Sequence, residues 1–306
     1  MPANEIKKGS LQAWLAAIRP KTFGIALAPV LVGITASLSV EHTGNLPLAL
    51  LTILVAVGIQ ALTNMENDVG YTKRKAERSN RKGFPRATSE GWLSIRQVDV
   101  AIRILATVLI LVSVALVTIG GWIIVLMGVC SVAAAYLYMG GRKPIAYSPW
   151  GEFTVFIFFG MVAVNGTYYL QSGTFSFISL ALGAACGAIA AGVLAVNNWR
   201  DMRHDASVGR RTLAVVLGEK KFPRLYLCLL LAPFALVLAT VSVWPEHAAY
   251  LLSLIPIYQI KKLYGDFLNK EGYELNDTML GTIKLEIRFA FLLSLGALLD
   301  TLIHCL

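Results

Sequence analysis

Apolar residues gather into long blocks instead of alternating along the chain. The blocks run over Phe23–Val40, Leu46–Thr63, Ile104–Ile119, Trp122–Met139, Phe153–Leu170, Phe177–Val196, Leu225–Val243, His247–Ile260 and Phe289–Ile303. A helix needs about 20 apolar residues to cross a bilayer, within a range of about 17–25. Most blocks reach or approach that length. The last two are short, and Pro256 is expected to bend the eighth. The two-residue alternation of a transmembrane barrel does not occur. The pattern predicts an all-α integral membrane protein with nine transmembrane helices in one bundle. Ahead of the first block, "SLQAWLAAIRPKT" puts Leu11, Trp14, Leu15 and Ile18 on one helical face. Ser10 is a candidate N-cap and Pro20 a stop. An interfacial helix within residues 1–21 is expected there.

Polar residues collect where two blocks end. The second runs into "NMEND" and the sixth into "NNWRD". Both contain N-x-x-x-D: Asn64 with Asp68, and Asn197 with Asp201. Residues four apart share a helix face. Each pair precedes a basic stretch, and the two blocks, four helices apart, run in the same direction. Two similar four-helix halves with a ninth helix added account for this. No low-complexity segment or separate soluble domain interrupts the chain. Residues 1–306 therefore read as one membrane-embedded domain, with polar motifs and loops at 64–97 and 197–224.

Charge settles the orientation. Of 306 residues, 56% are hydrophobic and 15% charged, with a formal net charge of +9. Lys and Arg fall in the connections after the second, fourth, sixth and eighth blocks, and none fall in the opposite connections. By the positive-inside rule this face, with the N-terminus, is cytoplasmic. The charge thus indicates a lipid bilayer and no nucleic acid. Cys130, Cys186, Cys228 and Cys305 lie in or beside apolar blocks without C-x-x-C spacing, and read as packing residues.

Asp201 and Asp205 are also four apart, so Asn197, Asp201 and Asp205 form a stripe. Their oxygens are hard ligands suited to Mg²⁺, which commonly bridges carboxylates to substrate phosphates. Neighbouring Arg and Lys can hold the remaining phosphate charge. This predicts a diphosphate site at the mouth of an apolar bundle, suited to an isoprenoid diphosphate. A secondary transporter is the alternative of another class, although transporters usually bind at the midplane. His204 lies on another face and reads as a surface residue. Glu152 reads equally as an acceptor-side base or a helix cap, and Asp300 as facing the opposite water layer.

The motifs resemble those of the UbiA superfamily of intramembrane prenyltransferases. "WLAAIRPKT" is similar to its W-x-x-x-x-R-P-K-T. "YSPWGEFTVFIFFG" is similar to Y-x-G-x-G-[DE]-x-x-V-x-x-F-F-G. "NNWRDMRHDASVGRRTLAVVLGE" is similar to N-N-x-R-D-x-x-x-D-x-x-x-G-K-x-T-L-x-x-x-x-G. The resemblance covers nearly the whole chain. It looks strongest to the branch that prenylates 1,4-dihydroxy-2-naphthoate in menaquinone synthesis, with loss of the acceptor's carboxyl group. It implies a polyprenyl diphosphate and an aromatic acceptor as substrates, in a bacterial inner membrane with the site facing the cytoplasm. Another acceptor, such as 4-hydroxybenzoate, haem or a secondary metabolite, is the alternative within the same chemistry. By resemblance Asp68, Asp201 and Asp205 are catalytic and hold Mg²⁺, with Asn64 and Asn197 beside them. Arg81, Lys143 and Arg210 fall where diphosphate-binding bases are expected, and Arg19 and Lys21 near the mouth. The first motif departs from the pattern. "NMENDVGYTKRKAERSNR" has Tyr71 where a second Asp is usual, and Tyr71 cannot supply a carboxylate. Glu77, aligned with a later family Asp, is the candidate replacement ligand.

Overall fold

The computed structural model describes residues 6–73, 84–140 and 142–305, and every regular element among them is helical. Ten α-helices follow in order: α1 Leu11–Ile18, α2 Phe23–Val40, α3 Leu46–Lys73, α4 Ile95–Met139, α5 Gly151–Phe156, α6 Ala163–Ser172, α7 Phe177–Ser207, α8 Leu213–Val243, α9 Gln259–Asn269 and α10 Leu275–Cys305. A π-helical segment, Ile157–Val162, joins α5 to α6, and a 3-10 segment, Pro245–Tyr258, precedes α9.

Seven of the described helical units are long and apolar enough to cross a membrane. The difference from nine has two physical causes. The third and fourth blocks share α4, whose 45 residues contain one non-helical residue, Gly121 (φ 61, ψ −154). A straight α4 would extend about 67 Å at 1.5 Å per residue, over twice the hydrocarbon thickness. The eighth block falls mainly on the 14-residue 3-10 segment that contains Pro256. A 3-10 helix rises about 2.0 Å per residue, against about 1.5 Å in an α-helix, so few residues reach far.

Burial separates centre from periphery. In the apolar part of α7, 72% of residues are buried, against 17% in that of α4. The α7 sequence explains its position, because Gly183, Gly187 and neighbouring alanines let backbones approach. A Cβ added at Gly160 would lie 2.4 Å from the Gly183 carbonyl oxygen and from the Gly187 Cα. Such contacts maximise dispersion where lipid removes the hydrophobic drive between helices. On the other side of α7, Trp199, Phe222, Tyr226 and Phe267 stack, with the Trp199 and Phe267 centroids 5.1 Å apart.

α1 begins where expected, with Ser10 Oγ accepting from the Ala13 N–H at 3.3 Å. It ends at Arg19, a left-handed residue (φ 55) that precedes Pro20. Ala13 and Ala17 are buried, whereas Leu11 and Leu15 are exposed. This outward apolar face suits an interfacial position. Asp300 corrects the expectation that it faces water. It is buried, accepts from the Ala249 N–H at 3.2 Å, and sits 3.7 Å from His247 Nδ1. It thus ties α10 to the start of the 3-10 segment.

Candidate active site

The polar motif of α7 ends in a tight C-terminal turn. Gly209 adopts φ 74, the left-handed conformation that glycine reaches without steric cost. The Arg210 N–H then donates to the Asp205 carbonyl at 2.8 Å, and the Gly209 N–H to Ala206 at 3.2 Å. These are the two closing bonds of a Schellman motif. The turn folds the Arg210 side chain back onto Asp205, with Nη1 2.8 Å from Oδ1. Nη2 donates to the Ala146 carbonyl at 2.8 Å. Both side chains are nearly buried. Burial alone would lower the Arg210 pKa. Tyr71, Asp205 and Tyr147 around it outweigh that, so the pKa is raised and the charge is held.

One turn earlier, Arg200 binds α7 to α10. Its side chain is 2% exposed, and it donates to Asn276 at 2.6 Å, to Asp201 at 2.7 Å, and to Asn197. Asp201 is 34% exposed and so keeps access to solvent.

The motif of α3 is built differently. Asp68 is fully buried. Its Oδ2 accepts from the Ala87 N–H at 2.8 Å, and its Oδ1 from the Thr88 N–H at 2.9 Å and the Thr88 hydroxyl. Asn64 Nδ2 donates to the Ile18 carbonyl at 2.7 Å and to Thr22 Oγ1 at 3.0 Å. Asn64 therefore fastens the "RPKT" turn, and Asp68 the loop carrying Arg86. That loop sets the Arg86 guanidinium 3.4 Å above the Tyr71 ring.

These elements enclose a cavity of about 410 Å³. Asn197, Arg200, Asp201, His204, Asp205 and Arg210 line it from the α7 side, and Tyr71 and Arg86 from the α3 side. Lys270 and Glu271, after α9, complete the rim. Of the expected site residues, Asn197, Asp201, Asp205 and Arg210 are thus brought together. Asn64 and Asp68 stand behind the wall. Lys143 is exposed and does not line the cavity. Glu77 and Arg81 lie outside the described residues. Arg86 and Arg200 were legible only as positive-inside charge. For Arg200 the available signal was its place inside the N-N-x-R-D motif. His204 is half-buried on the cavity wall, not simply at the surface.

Among the described residues, no three His, Cys, Asp or Glu side chains form a metal-ligand cluster. Mg²⁺ is nevertheless often held by one or two carboxylates, with the rest of its shell from phosphate and water. Asp201 and Asp205, with Asn197, fit that donor set.

A model of the "UbiA prenyltransferase family" matches residues 26–274. The chain belongs to the UbiA prenyltransferase family. It is 37% identical to the 1,4-dihydroxy-2-naphthoate octaprenyltransferase of Mycobacterium tuberculosis (strain ATCC 25618 / H37Rv), over 76% of this chain and 80% of that one. It is 33% identical to the enzyme of the same name from Escherichia coli (strain K12), over 78% and 79%. A UbiA homolog from Archaeoglobus fulgidus bound to DMAPP and Mg2+ has the same fold, with a TM-score of 0.61. That match covers 92% of this chain and 99% of that one at 17% identity. The UbiA chain is a multi-pass integral membrane prenyltransferase.

Proposed function

We propose that the protein transfers a polyprenyl group from an allylic diphosphate to 1,4-dihydroxy-2-naphthoate in menaquinone synthesis, with Mg²⁺ as cofactor. The observation carrying this reading is one cavity at the end of an apolar bundle. There the acids of α7 meet Arg86, Arg200 and Arg210. The names of the relatives support the naphthoate acceptor. We further propose nine crossings in two similar halves, with α4 folding at Gly121 and the 3-10 segment serving as the eighth. Basic residues at the cavity end support a cytoplasmic site and N-terminus, and the bacterial sources of the relatives support an inner membrane.

Asp201, Asp205 and Asn197 would hold Mg²⁺, which when bound supplies positive charge for a diphosphate leaving group. Arg86, Arg200 and Arg210 bind the remaining phosphate oxygens. The Arg210 Nε has no hydrogen-bond partner, so a donor remains after the Asp205 pair is made. The pairs with Asp201 and Asp205 hold the arginines in place before substrate arrives, which is how electrostatic preorganisation lowers a barrier. The polyprenyl tail lies among the apolar helices. Tight packing there keeps water from the allylic carbon. By the family pattern, Glu77 and Arg81 add to the Mg²⁺ and diphosphate sites, and Asp68 acts from behind the wall.

Purified protein incubated with a polyprenyl diphosphate, Mg²⁺ and a panel of aromatic acceptors tests this. The expected product has the mass of prenylated dihydroxynaphthoate minus CO₂. Unreacted dihydroxynaphthoate beside a prenylated hydroxybenzoate would overturn the acceptor assignment.

A further inference from the structure

We infer that Glu152 is the base that accepts a hydroxyl proton from the aromatic acceptor. This rests on the prenyl-transfer function above and adds the acceptor side of the site. Glu152 opens α5 and is 4% exposed. Its Oε1 accepts from Asn198 Nδ2 at 2.8 Å. Its Oε2 is buried without a hydrogen-bond partner. Leaving a buried polar atom unmet costs about 1–3 kcal/mol, so folds rarely retain one without a use.

Position separates Glu152 from two other buried acids with an unmet oxygen, Asp300, whose Oδ2 lies 3.7 Å from His247 Nδ1 at the opposite end of α10, and Glu286. Glu286 also lacks partners, but it lies within α10 against Cys186 of α7, away from both motifs. Glu152 is tied to Asn198, the residue after Asn197 of the cavity wall. A Cβ at neighbouring Gly151 would lie 4.0 Å from the Tyr138 hydroxyl. Tyr138 is within electrostatic reach of Tyr71, Glu152 and Arg210. Glu152 is thus bonded one residue along α7 from the cavity wall, outside the residues that line the cavity, with Oε2 unpaired and Tyr138 linking it electrostatically to Tyr71 and Arg210. The ligand that suits it is a hydroxylated, electron-rich aromatic ring. The Asn198 bond fixes the carboxylate's rotation, as a third group does for other catalytic bases.

The proton then has a full path. As the ring carbon bonds to C1 of the prenyl group, the acceptor O–H breaks and Oε2 takes its proton. The C1–O bond breaks, and its electron pair leaves with diphosphate. Where the attacked carbon carries a carboxylate, CO₂ departs and its bonding electrons restore the aromatic ring. Glu152 then returns the proton to the same oxygen.

The test uses the full chain with Mg²⁺, geranylgeranyl diphosphate and hydroxynaphthoates of graded hydroxyl acidity. E152Q keeps the side-chain shape but cannot take the proton. We expect its kcat to fall at least about 100-fold, the lower range for a lost general base. Its Kd for the diphosphate should stay within about twofold, well below the tenfold change that 1.4 kcal/mol would cause. The deficit should shrink as the acceptor hydroxyl becomes more acidic, and E152D should recover part of it. Native kcat in E152Q, or the same deficit with every acceptor, would overturn the assignment. Loss of diphosphate binding in both variants would mark Glu152 as structural and overturn it too. If native protein prenylates no hydroxyaromatic, the proposed function fails and the base with it. Native transfer with an unaffected E152Q sinks the base alone.

Discussion

The ends of α3 and α7 carry the same N-x-x-x-D spacing but use it for opposite purposes. On α7 the acids line the cavity, and Arg200 and Arg210 hold them there. On α3 the acid is turned inward, and backbone N–H groups of its own loop occupy both oxygens. Asp68 thereby sets Arg86 over Tyr71, and this aromatic–cation pair occupies the wall where a second acid is usual. The same spacing thus presents charge at the end of α7 and positions a wall at the end of α3. Spacing alone does not distinguish them, because the partner decides which way an acid points.

The sharpest test of this contrast is on α7. Asp201→Ala or Asp205→Ala should lower prenyl transfer about 10²–10³-fold, the usual effect of removing one preorganised electrostatic group. Unchanged Mg²⁺-dependent diphosphate release in both variants would remove α7 from the chemistry. Asp68→Ala should act through folding. It leaves the Ala87 and Thr88 N–H groups buried and unmet, at about 1–3 kcal/mol each. The thermal midpoint should therefore drop, with transfer reduced about tenfold as Arg86 shifts, a change equal to about 1.4 kcal/mol. A native midpoint with transfer as low as in Asp201→Ala would make the two motifs equivalent after all. At Tyr71 the effect should be smaller. Tyr71→Leu removes a cation–π contact worth about 0.5–2 kcal/mol and should raise KM for prenyl diphosphate several-fold, while Tyr71→Phe, which keeps that contact and loses only the hydroxyl beside Arg210, should raise it less. Tyr71→Asp should bring no gain, and a large gain would show that the α3 motif lacks an acid it needs. Lys143→Ala is the weakest case. Exposed and away from the cavity, it should leave kcat and KM within about twofold, as for ordinary surface changes.

The apolar blocks made the helices legible because a bilayer admits few alternatives to a helical bundle. The α7 polar cluster was legible because Asn197, Asp201, Asp205, the terminating Gly209 and the returning Arg210 lie within a fourteen-residue stretch. The role of Asp68 was not, since its partners are main-chain groups 19 and 20 residues away and leave no side-chain signature. Arg86 and Arg200 looked like ordinary topological charge, because composition reports sign and not burial. The halving of α4 could be anticipated from the "GG" pair at Gly120 and Gly121. Asp300 could not be anticipated, because a carboxylate near a helix end looks the same whether it meets water or another backbone.

The π-helical segment between α5 and α6 adds a constraint of length as well as identity. Glu152 reaches Asn198 from one end of this stretch, while Asn165 accepts from Ser179 at the other. Both partners sit on α7, so the two ends must face it together. Each residue of an α-helix turns the chain by about 100°. A π turn carries about one residue more than an α turn, so deleting one residue from Ile157–Val162 would relax it to a regular turn with Glu152 still toward α7, whereas adding one would swing Glu152 away by about 100° with every side chain at the two ends retained. An inserted residue here would therefore do the work of a substitution at Glu152, and chimeras with relatives must be joined outside this stretch to keep its phase.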